Sequence, residues 1–399
     1  MDYISLYKAY YQYSKEDFEK MYEQRYNSEA TIKLFFNIGE NQAFLFFPNE
    51  LNSLLHSIRT IDKRVRNIFD KLPRVAQNQY LKKSMIDEIQ FNNSIEGVIS
   101  TRKDINDIID DIQVMSNKHI RLKGIVNKYL LLKDLNKINL NSSNDIRKLY
   151  DEMLYEEIKQ NDPNNLPDGQ LFRKDVVNVT TSTGKVIHKG VMPESKIIEW
   201  LEEGIKIVND ESLDALIKAS LFHYIFSYIH PFYDGNGRIN RFISSYILSQ
   251  NYIPLIGYRL SLTIKENLAD YYDAFKHTND VRNKGDVTHF VFEFLKLILK
   301  AYEKTEMYAM EKLVALTKYC LVIDKKLGKS KISEFLYVLT QAEMFSEFGL
   351  SISEIALILK CSENTVRNKM KELKAQKLIK EINVSKKIYY SANLENLTE

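Results

Sequence analysis

The chain has 399 residues, 44% of them hydrophobic, and a formal net charge of only +3. This length and hydrophobicity supply enough apolar surface for two or three domains with buried cores, which excludes an intrinsically disordered protein. Thirteen glycines and seven prolines are few, we see neither a signal peptide nor a long apolar run, and the two cysteines form no metal or disulfide pattern, so we expect a mainly α-helical, cytoplasmic protein with no membrane partner.

The N-terminal region predicts a small hairpin followed by a helix. Residues 31–47 are aromatic and β-branched around a Gly-Glu-Asn turn, and an amphipathic pattern then continues through Leu72. We treat residues 1–84 as a separate element that serves either in docking a target or in forming a homodimer. The sequence does not choose between these two roles.

A further helix is predicted over residues 85–98. Its apolar residues recur at helical spacing, and Gly97 is typical of a helix end. Glu96 lies directly before this glycine. On the residues alone, Glu96 has two interpretations, a solvated surface carboxylate or a functional one.

The segment from Gln170 to Val191 predicts a second hairpin. Two β-rich runs flank Ser182-Thr183-Gly184 there. A short exposed ribbon in a helical chain has an unpaired edge, and such an edge can add a strand from a bound peptide. The alternative is a hairpin with a purely structural role.

Residues 230–241 read HPFYDGNGRINR and concentrate more chemistry than any other stretch of the chain. The segments on both sides are apolar at helical spacing, so this polar run joins two buried helices, and Pro231 marks the break between them. Gly235, Asn236 and Gly237 tolerate positive φ, which allows successive N–H groups to form an anion nest at the start of the second helix. The complete Walker motif, Gly-x-x-x-x-Gly-Lys-Ser/Thr, does not occur in the sequence.

The charged residues of this run complete a site for a polyphosphate. Arg238 and Arg241 lie three apart, so one helix face presents both guanidinium groups beside the nest. Asp234 offers a hard oxygen ligand for Mg²⁺, and His230 titrates near neutrality and so serves as the proton acceptor. These parts predict nucleotidyl or phosphoryl transfer; the alternative is a polar turn whose arginines merely cap or solvate it.

Two helical segments follow the motif. Residues 263–275 predict one helix that contains Asn267, Tyr271 and Tyr272. The two tyrosine rings either stack on a purine or fill a core. The helical pattern of residues 286–326 then leads out of the central domain. We assign residues 301–329 to a helical linker.

The character of the chain changes from residue 330 to its end. A capping box at Ser351 starts one short helix, a second helix covers residues 363–376, and two β-rich runs at 378–382 and 387–390 form a wing. This segment, residues 330–399, resembles a winged helix-turn-helix domain.

The second helix of this module is strongly basic. Residues 361–390 contain eight Lys and Arg and three Glu, a balance of +5, and Arg367, Lys369 and Lys371 lie mostly off the apolar stripe. Such a patch suits either double-stranded DNA or a docked protein, and both interpretations stay open.

The motif at residues 230–241 is identical, position for position, to the His-Pro-Phe-x-(Asp/Glu)-Gly-Asn-Gly-Arg-x-x-Arg signature of Fic family proteins. The resemblance implies a helical domain over residues 85–300 with a small β-hairpin flap. It also implies transfer of AMP from ATP to a Ser, Thr or Tyr hydroxyl of a target protein, the chain itself included. By resemblance His230 is the general base, Asp234 the Mg²⁺ ligand, residues 235–237 the anion hole, and Arg238 and Arg241 the phosphate contacts.

The same resemblance assigns a role to Glu96. Fic proteins often carry an inhibitory helix, here residues 85–98, whose glutamate pairs with the second arginine of the signature. This predicts an ion pair between Glu96 and Arg241 that keeps the γ-phosphate of ATP away from that guanidinium. The chain departs from the usual pattern at Asn92, where relatives have Ser or Thr.

Further positions are implied by the resemblance alone. Lys185, Val186, Ile187 and His188 would line the target strand, with His188 exposed to solvent rather than catalytic. Asn267, Tyr271 and Tyr272 would contact the nucleotide.

Two other functions remain as alternatives. One is a DNA-binding transcriptional regulator whose Fic-like domain senses nucleotide without turnover. The other is the reverse reaction, removal of AMP from a modified protein, with Glu96 positioning the water.

Overall fold

The computed structural model describes residues 3–110, 117–132, 138–180, 186–385 and 387–398. Most of them lie in α-helices, which confirms the predicted mainly α class. In chain order the helices are α1 (Leu6–Gln12), α2 (Lys15–Tyr26), α3 (Asn49–Lys71), α4 (Arg74–Ile95), α5 (Arg102–Asp110), α6 (Asn117–Leu131), α7 (Ser143–Asn161), α8 (Glu194–Asn209), α9 (Ala215–Ile229), α10 (Asn236–Asn251), α11 (Pro254–Gly257), α12 (Leu260–Glu266), α13 (Leu268–Thr278), α14 (Thr288–Leu327), α15 (Lys331–Phe345), α16 (Ile352–Leu359), α17 (Glu363–Ala375) and α18 (Leu394–Thr398).

The strands form small antiparallel sheets with the orders β1-β2, β3-β4 and β5-β7-β6. They are β1 (Thr31–Ile38), β2 (Asn41–Phe46), β3 (Asn178–Thr180), β4 (Val186–Lys189), β5 (Leu350–Ser351), β6 (Ile379–Val384) and β7 (Lys387–Ala392). Within the described ranges, every helix is too short or too polar to cross a lipid bilayer.

The hairpin predicted at residues 31–47 is confirmed as β1–β2. The N–H of Phe44 donates to the carbonyl of Gly285, and the N–H of Val287 donates back to Phe44, at 3.0 and 2.9 Å. The hairpin is therefore fastened to the start of α14. Helix α3 ends at its cap Leu72, as predicted, and packs along α14 through its apolar face.

Helix α4 differs in length from its prediction. It begins at Arg74 rather than at residue 85, and it ends at Ile95 because Gly97 takes a φ of +74°. The sequence did not predict the first half of α4. Its buried positions include the polar residues Gln79 and Ser84 as well as Ala76 and Tyr80, so apolar residues do not recur there at helical spacing.

The central pair of helices, α9 and α10, is covered by α4, α8 and α14. Most residues of both helices are buried. The polar turn between them, residues 230–235, is consequently held at both ends by the main core. This is the arrangement that the apolar flanks of the motif predicted.

Helix α14 runs from the central domain to the C-terminal module without a break. At a rise of about 1.5 Å per residue, its 40 residues span about 60 Å. Residues 301–327, which we predicted as a linker, continue this helix, and Tyr302, Ala309 and Leu316 belong to the main core.

The elements of the C-terminal segment match the predicted ones. The capping box at Ser351 is present and begins α16. Helix α17 agrees with the helix predicted at 363–376, and β6 and β7 form the predicted ribbon. A separate cluster of buried residues, which includes Leu336, Val366 and Leu373, holds this module together.

The C-terminal module packs against α4 and α5. The side-chain oxygen of Gln341 accepts a hydrogen bond from the buried N–H of Ala76, and Glu347 forms an ion pair of 2.7 Å with Arg102. In the ribbon, Nζ of Lys387 donates to the carbonyl of Asp110 at 3.2 Å. Part of the ribbon predicted to be a wing is therefore held against α5.

Candidate active site

The turn between α9 and α10 carries the predicted catalytic residues. Helix α9 ends at Ile229, and His230 adopts the left-handed conformation with φ 54° and ψ 63°. Gly235, with φ 85°, then starts α10. At Gly235 the positive φ strains any residue with a side chain, and a methyl group would lie 2.6 Å from Cδ1 of Leu154.

Asn236 stabilises this turn rather than presenting its side chain to a ligand. Its Oδ1 accepts from the N–H of Phe232 at 2.9 Å, and its Nδ2 donates to the carbonyl of Phe232 at 2.7 Å. The side chain is buried. Any contribution of Asn236 to an anion nest must therefore come from its backbone.

The imidazole of His230 is kept neutral. Burial lowers its pKa, the positive charges of Arg173 and His188 lower it further, and Glu96 opposes them, so that the pKa falls from 6.5 to about 4. A histidine with this pKa is a neutral imidazole at neutral pH, with one ring nitrogen unprotonated. It is therefore able to accept one.

Asp234 and Arg238 lie side by side below the turn. The carboxylate of Asp234 is 45% exposed, and Nη2 of Arg238 is 3.6 Å from its Oδ1. Arg238 itself is fully buried and pairs with Glu157 through Nη1 and Oε1 at 2.5 Å. The sequence predicted two arginines on one helix face beside the nest, whereas Arg238 is buried and forms an ion pair with a carboxylate of α7.

Several buried polar atoms around this pair lack a hydrogen-bond partner among the described residues. They are Nε and Nη2 of Arg238, Oε2 of Glu157 and the hydroxyl of Tyr150. Buried donors without partners are costly. Free guanidinium donors beside an exposed carboxylate fit a bound phosphate oxygen and its counter-cation, so Asp234 is suited to hold Mg²⁺.

Arg241 contacts Glu96 as predicted. Nη2 of Arg241 lies 2.7 Å from Oε1 of Glu96, and the arginine side chain is 2% exposed against 32% for the glutamate. Burial raises the pKa of the Glu96 carboxyl, but the charge and hydrogen bond of Arg241 outweigh burial and hold the pKa below its usual value. The carboxylate also lies against the first turn of α10, since a methyl group at Gly237 would collide with it.

Asn92 holds Arg241 from behind. Its Oδ1 accepts from Nε of Arg241 at 2.7 Å and its carbonyl accepts from Nη2 at 3.0 Å. Its Nδ2 donates to the hydroxyl of Tyr129 and to the carbonyl of Arg238. A serine or threonine hydroxyl has a single hydrogen to donate and could not make both of these last bonds.

Behind Asn92, Glu88 is fully buried and accepts hydrogen bonds from the backbone and hydroxyl of Ser261. Burial raises its pKa to about 7, against the lowering effect of these bonds. Glu88 is not among the residues that the sequence predicted for the site.

The three residues predicted to contact the nucleotide lie in different environments. The single helix predicted over residues 263–275 is wrong, because α12 and α13 meet at Asn267, whose amide donates to the carbonyl of Thr263 and whose Oδ1 accepts from Lys300. Tyr271 is buried, with its hydroxyl 2.7 Å from Nε2 of His223. Tyr272 is 48% exposed.

The predicted flap is present as the pair β3–β4. Val186 and Ile187 lie on β4, while Lys185 lies outside the described residues. His188 is not solvent-exposed as predicted. Its ring is half-buried against Tyr228, and its Nε2 is 2.6 Å from the carbonyl of that residue.

The basic residues predicted to contact nucleic acid lie on α17. Arg367 pairs with Glu363 and Lys369 with Glu372, both at 2.6 Å. Lys371 is exposed, and the described part of the chain contains no ion pair to it. Exposed ion pairs are weak, so a stronger anion can displace the glutamates.

Residues 140–248 match the sequence model of the Fic/DOC family. A probable protein adenylyltransferase of Aquifex aeolicus is 36% identical over 63 residues, which are 16% of this chain and 18% of that protein. The protein adenylyltransferase Fic of Drosophila mojavensis is 30% identical over 138 residues, 35% of this chain and 24% of that protein. Its counterpart in Drosophila sechellia is 26% identical over 285 residues, 66% and 53%. The matched regions thus span about half or less of these relatives.

Two solved structures resemble this chain at low sequence identity. A Fic family protein from Desulfovibrio desulfuricans G20 has a TM-score of 0.49 at 19% identity, covering 84% of this chain and 96% of that one. A Fic domain containing signaling protein from Bacteroides thetaiotaomicron has a TM-score of 0.46 at 16% identity, covering 64% and 97%.

Proposed function

We propose that this chain, which carries a Fic/DOC family domain at residues 140–248, is a protein adenylyltransferase that moves AMP from ATP to a hydroxyl side chain of a target protein. The observation that carries the proposal is the turn at residues 230–237. The turn carries His230, whose pKa is lowered to about 4, and the exposed carboxylate of Asp234. The Glu96–Arg241 pair lies against Gly237, in the first turn of α10.

The reaction follows from the chemistry of these groups. The imidazole of His230 takes the proton of the target hydroxyl as its oxygen bonds to the α-phosphorus of ATP. The bond from that phosphorus to the β-phosphate bridging oxygen breaks, and pyrophosphate leaves. Mg²⁺ held by Asp234 would neutralise charge on the phosphate chain. Arg238 offers its unpartnered donors to the same oxygens, while Glu157 keeps its guanidinium in place.

In this account Glu96 restrains the enzyme. A γ-phosphate and the Glu96 carboxylate compete for the same donors of Arg241, and the carboxylate already lies at the nest beside Gly237. ATP then reaches its productive pose only when the ion pair opens. Because Arg241 is also held by Asn92, opening the pair frees a guanidinium that is still oriented.

The test is label transfer from α-labelled ATP in the presence of Mg²⁺ and candidate target proteins. Replacing His230 by Ala should lower transfer by about 10²- to 10⁴-fold, because the base is lost, and leave ATP binding nearly unchanged in calorimetry. His223 is a matched control: it is a buried histidine whose ring nitrogens face Ser244 and Tyr271. Its Asn variant should keep most of the activity, and retained transfer by His230→Ala would remove the base from this account.

The flap suits the role of target-binding strand. Strands β3 and β4 pair only with each other in the described sheets, so one edge of β4 is available for a peptide strand. A peptide bound there would run beside His188 and Tyr228, which pack together next to the motif.

A second function is favoured by the charge of α17. The balance of +5 over residues 361–390 and the exposure of Arg367 and Lys371 suit DNA phosphates, as in the winged helix-turn-helix domain that this module resembles. With this module on DNA, the chain could act as a nucleotide-sensing regulator. The test is duplex DNA binding by the full chain at low salt. Reversal of Arg367 and Lys371 to Glu should abolish salt-dependent binding, and unchanged binding would leave protein docking as the role of α17.

A further inference from the structure

Arg173 is a fully buried arginine on the loop between α7 and β3. Among the described residues no carboxylate forms an ion pair with it. Its guanidinium instead donates to backbone carbonyls: Nε to His230 at 2.8 Å, Nη2 to Val191 at 2.8 Å and to Ile229 at 3.2 Å, and Nη1 to Asp175 at 2.7 Å. Burying an unpaired guanidinium is unfavourable, so its full set of directed hydrogen bonds calls for an explanation.

We propose that Arg173 is a positioning residue for AMP transfer, whose guanidinium holds His230 in its left-handed backbone conformation and joins it to the base of the flap. The inference rests on the proposed role of His230 as the base. It assigns to Arg173 no contact with ATP or with the target.

The backbone around His230 needs such a support. Residues other than glycine rarely adopt a φ of 54°, and this conformation turns the chain sharply at the end of α9. Arg173 bonds to both sides of the bend, since its guanidinium binds the carbonyls of Ile229 and His230 and its own N–H donates to the carbonyl of Pro231 at 3.3 Å. Three successive carbonyls are thus fixed by one residue.

The same residue ties the flap to this bend. The N–H of Val191, just after β4, donates to the carbonyl of Ile229 at 3.0 Å, and the carbonyl of Val191 accepts from Arg173. Gly190 allows the close approach, because a methyl group there would collide with the guanidinium and lie 3.3 Å from Cβ of His230. The strand that would bind the target and the imidazole that would take its proton therefore share one brace.

The charge of Arg173 has a second effect. The charged or titratable groups that act on His230 are Arg173 from the loop, His188 from β4 and Glu96 from the end of α4. After burial, Arg173 is the largest influence that lowers the pKa of His230. Removing the charge should therefore raise that pKa toward its ordinary value.

Two substitutions separate the brace from the charge. Arg173→Gln removes the charge and most donors, while Arg173→Lys keeps the charge but cannot bond to all these carbonyls. Arg147→Gln is the matched control, because Arg147 donates to the carbonyl of Leu171 on the same loop and pairs with Asp151 without reaching His230. All are made in the full chain carrying Glu96→Gly, and thermal melts establish that each is folded.

The measurements are kcat and the KM for ATP from label transfer across pH, with the His230 titration followed by NMR. We expect both Arg173 variants to lose about 10²-fold in kcat, as a misplaced catalytic group does, with the KM for ATP within about twofold. The pH at which His230 titrates and the acid limb of the kcat–pH profile should both move to higher pH in Arg173→Gln. Both should remain in place in Arg173→Lys. Arg147→Gln should change neither.

Each result decides the proposal. An unchanged kcat in either folded Arg173 variant would overturn it, as would equal losses in Arg147→Gln. If Arg173→Gln does not fold, Arg173→Lys alone decides through its kcat at constant KM. Absence of label transfer by the Glu96→Gly reference would count against the proposed enzyme, and the NMR titration would then decide for or against the effect of Arg173 on His230.

Discussion

Replacement of Glu96 by Gly removes the side chain that contests the Arg241 guanidinium. In the folded chain the two groups are 2.7 Å apart, the arginine is buried and the carboxylate is 32% exposed. Two unit charges near a protein surface attract by about 4 kcal/mol at 4 Å. Solvent exposure of the carboxylate and desolvation of the guanidinium offset part of this attraction, which leaves about 2 kcal/mol for a charged hydrogen bond of this kind.

This free energy sets the expected effect on the enzyme. Since about 1.4 kcal/mol corresponds to a tenfold change, loss of the ion pair should raise kcat/KM for ATP by about 30-fold. Glu96→Gln should give a smaller increase, because its amide oxygen still accepts a hydrogen bond from Arg241 without the charge. The assay is initial-rate transfer of label from α-labelled ATP to a target protein and to the chain itself.

Glu266 provides a matched control for this series. It lies at the end of α12 and forms an ion pair of 2.7 Å with Lys304, and the two side chains are 40% and 47% exposed. Glu266→Gly should leave kcat/KM unchanged. If wild type and Glu96→Gly turn over equally, or if Glu266→Gly activates as strongly, the competition for Arg241 is not what limits the enzyme.

Three further predictions follow from the site. The acid limb of kcat/KM should lie near pH 4 rather than 6.5, because activity needs a neutral His230 and its lowered pKa means that the proton is gained only as the pH falls through about 4; a pH–rate profile with a limb near 6.5 would contradict this. Glu157→Gln should destabilise the fold by about 3–5 kcal/mol in urea unfolding, since Arg238 would keep a buried charge without its partner; a change under about 1 kcal/mol would show that the pair is dispensable. Asp234→Ala should abolish the Mg²⁺ dependence of transfer, and a residual activity that still rises with Mg²⁺ concentration would move the metal to other ligands.

The sequence predicted well those features that depend on the spacing of neighbouring residues. The turn at residues 230–237, the end of α4 before Gly97 and the capping box at Ser351 each depend on residues within a few positions of one another. Contact between Glu96 and Arg241 spans 145 positions and came from the family resemblance rather than from any local pattern.

The features that it missed depend on partners far apart in the chain. Glu157 lies at a buried position of α7 between Leu154 and Ile158, and a glutamate on an apolar face was the one signal that could have revealed it. Arg173 gave no such signal, because its partners are backbone carbonyls. The half-buried state of His188 depends likewise on the packing of β4 against Tyr228.

The docking of the C-terminal module was also beyond the sequence. The basic composition of α17 indicated a free anion-binding surface, and the exposed residues there agree with it. The ribbon, in contrast, meets α5 through Lys387, and α15 meets α4 through Gln341. Charge counting predicts what a surface can attract, but it does not tell which of its neighbours in the fold already occupies it.

In the proposed reaction, one site that contains His230 and Arg241 transfers the AMP group of ATP to a protein. The most direct measurement compares α-labelled with γ-labelled ATP, using the Glu96→Gly chain, Mg²⁺ and a mixture of target proteins. We expect stable protein-bound label from the α-labelled nucleotide alone, and its loss on His230→Ala. Label transferred from the γ-position, or from neither, would contradict this expectation.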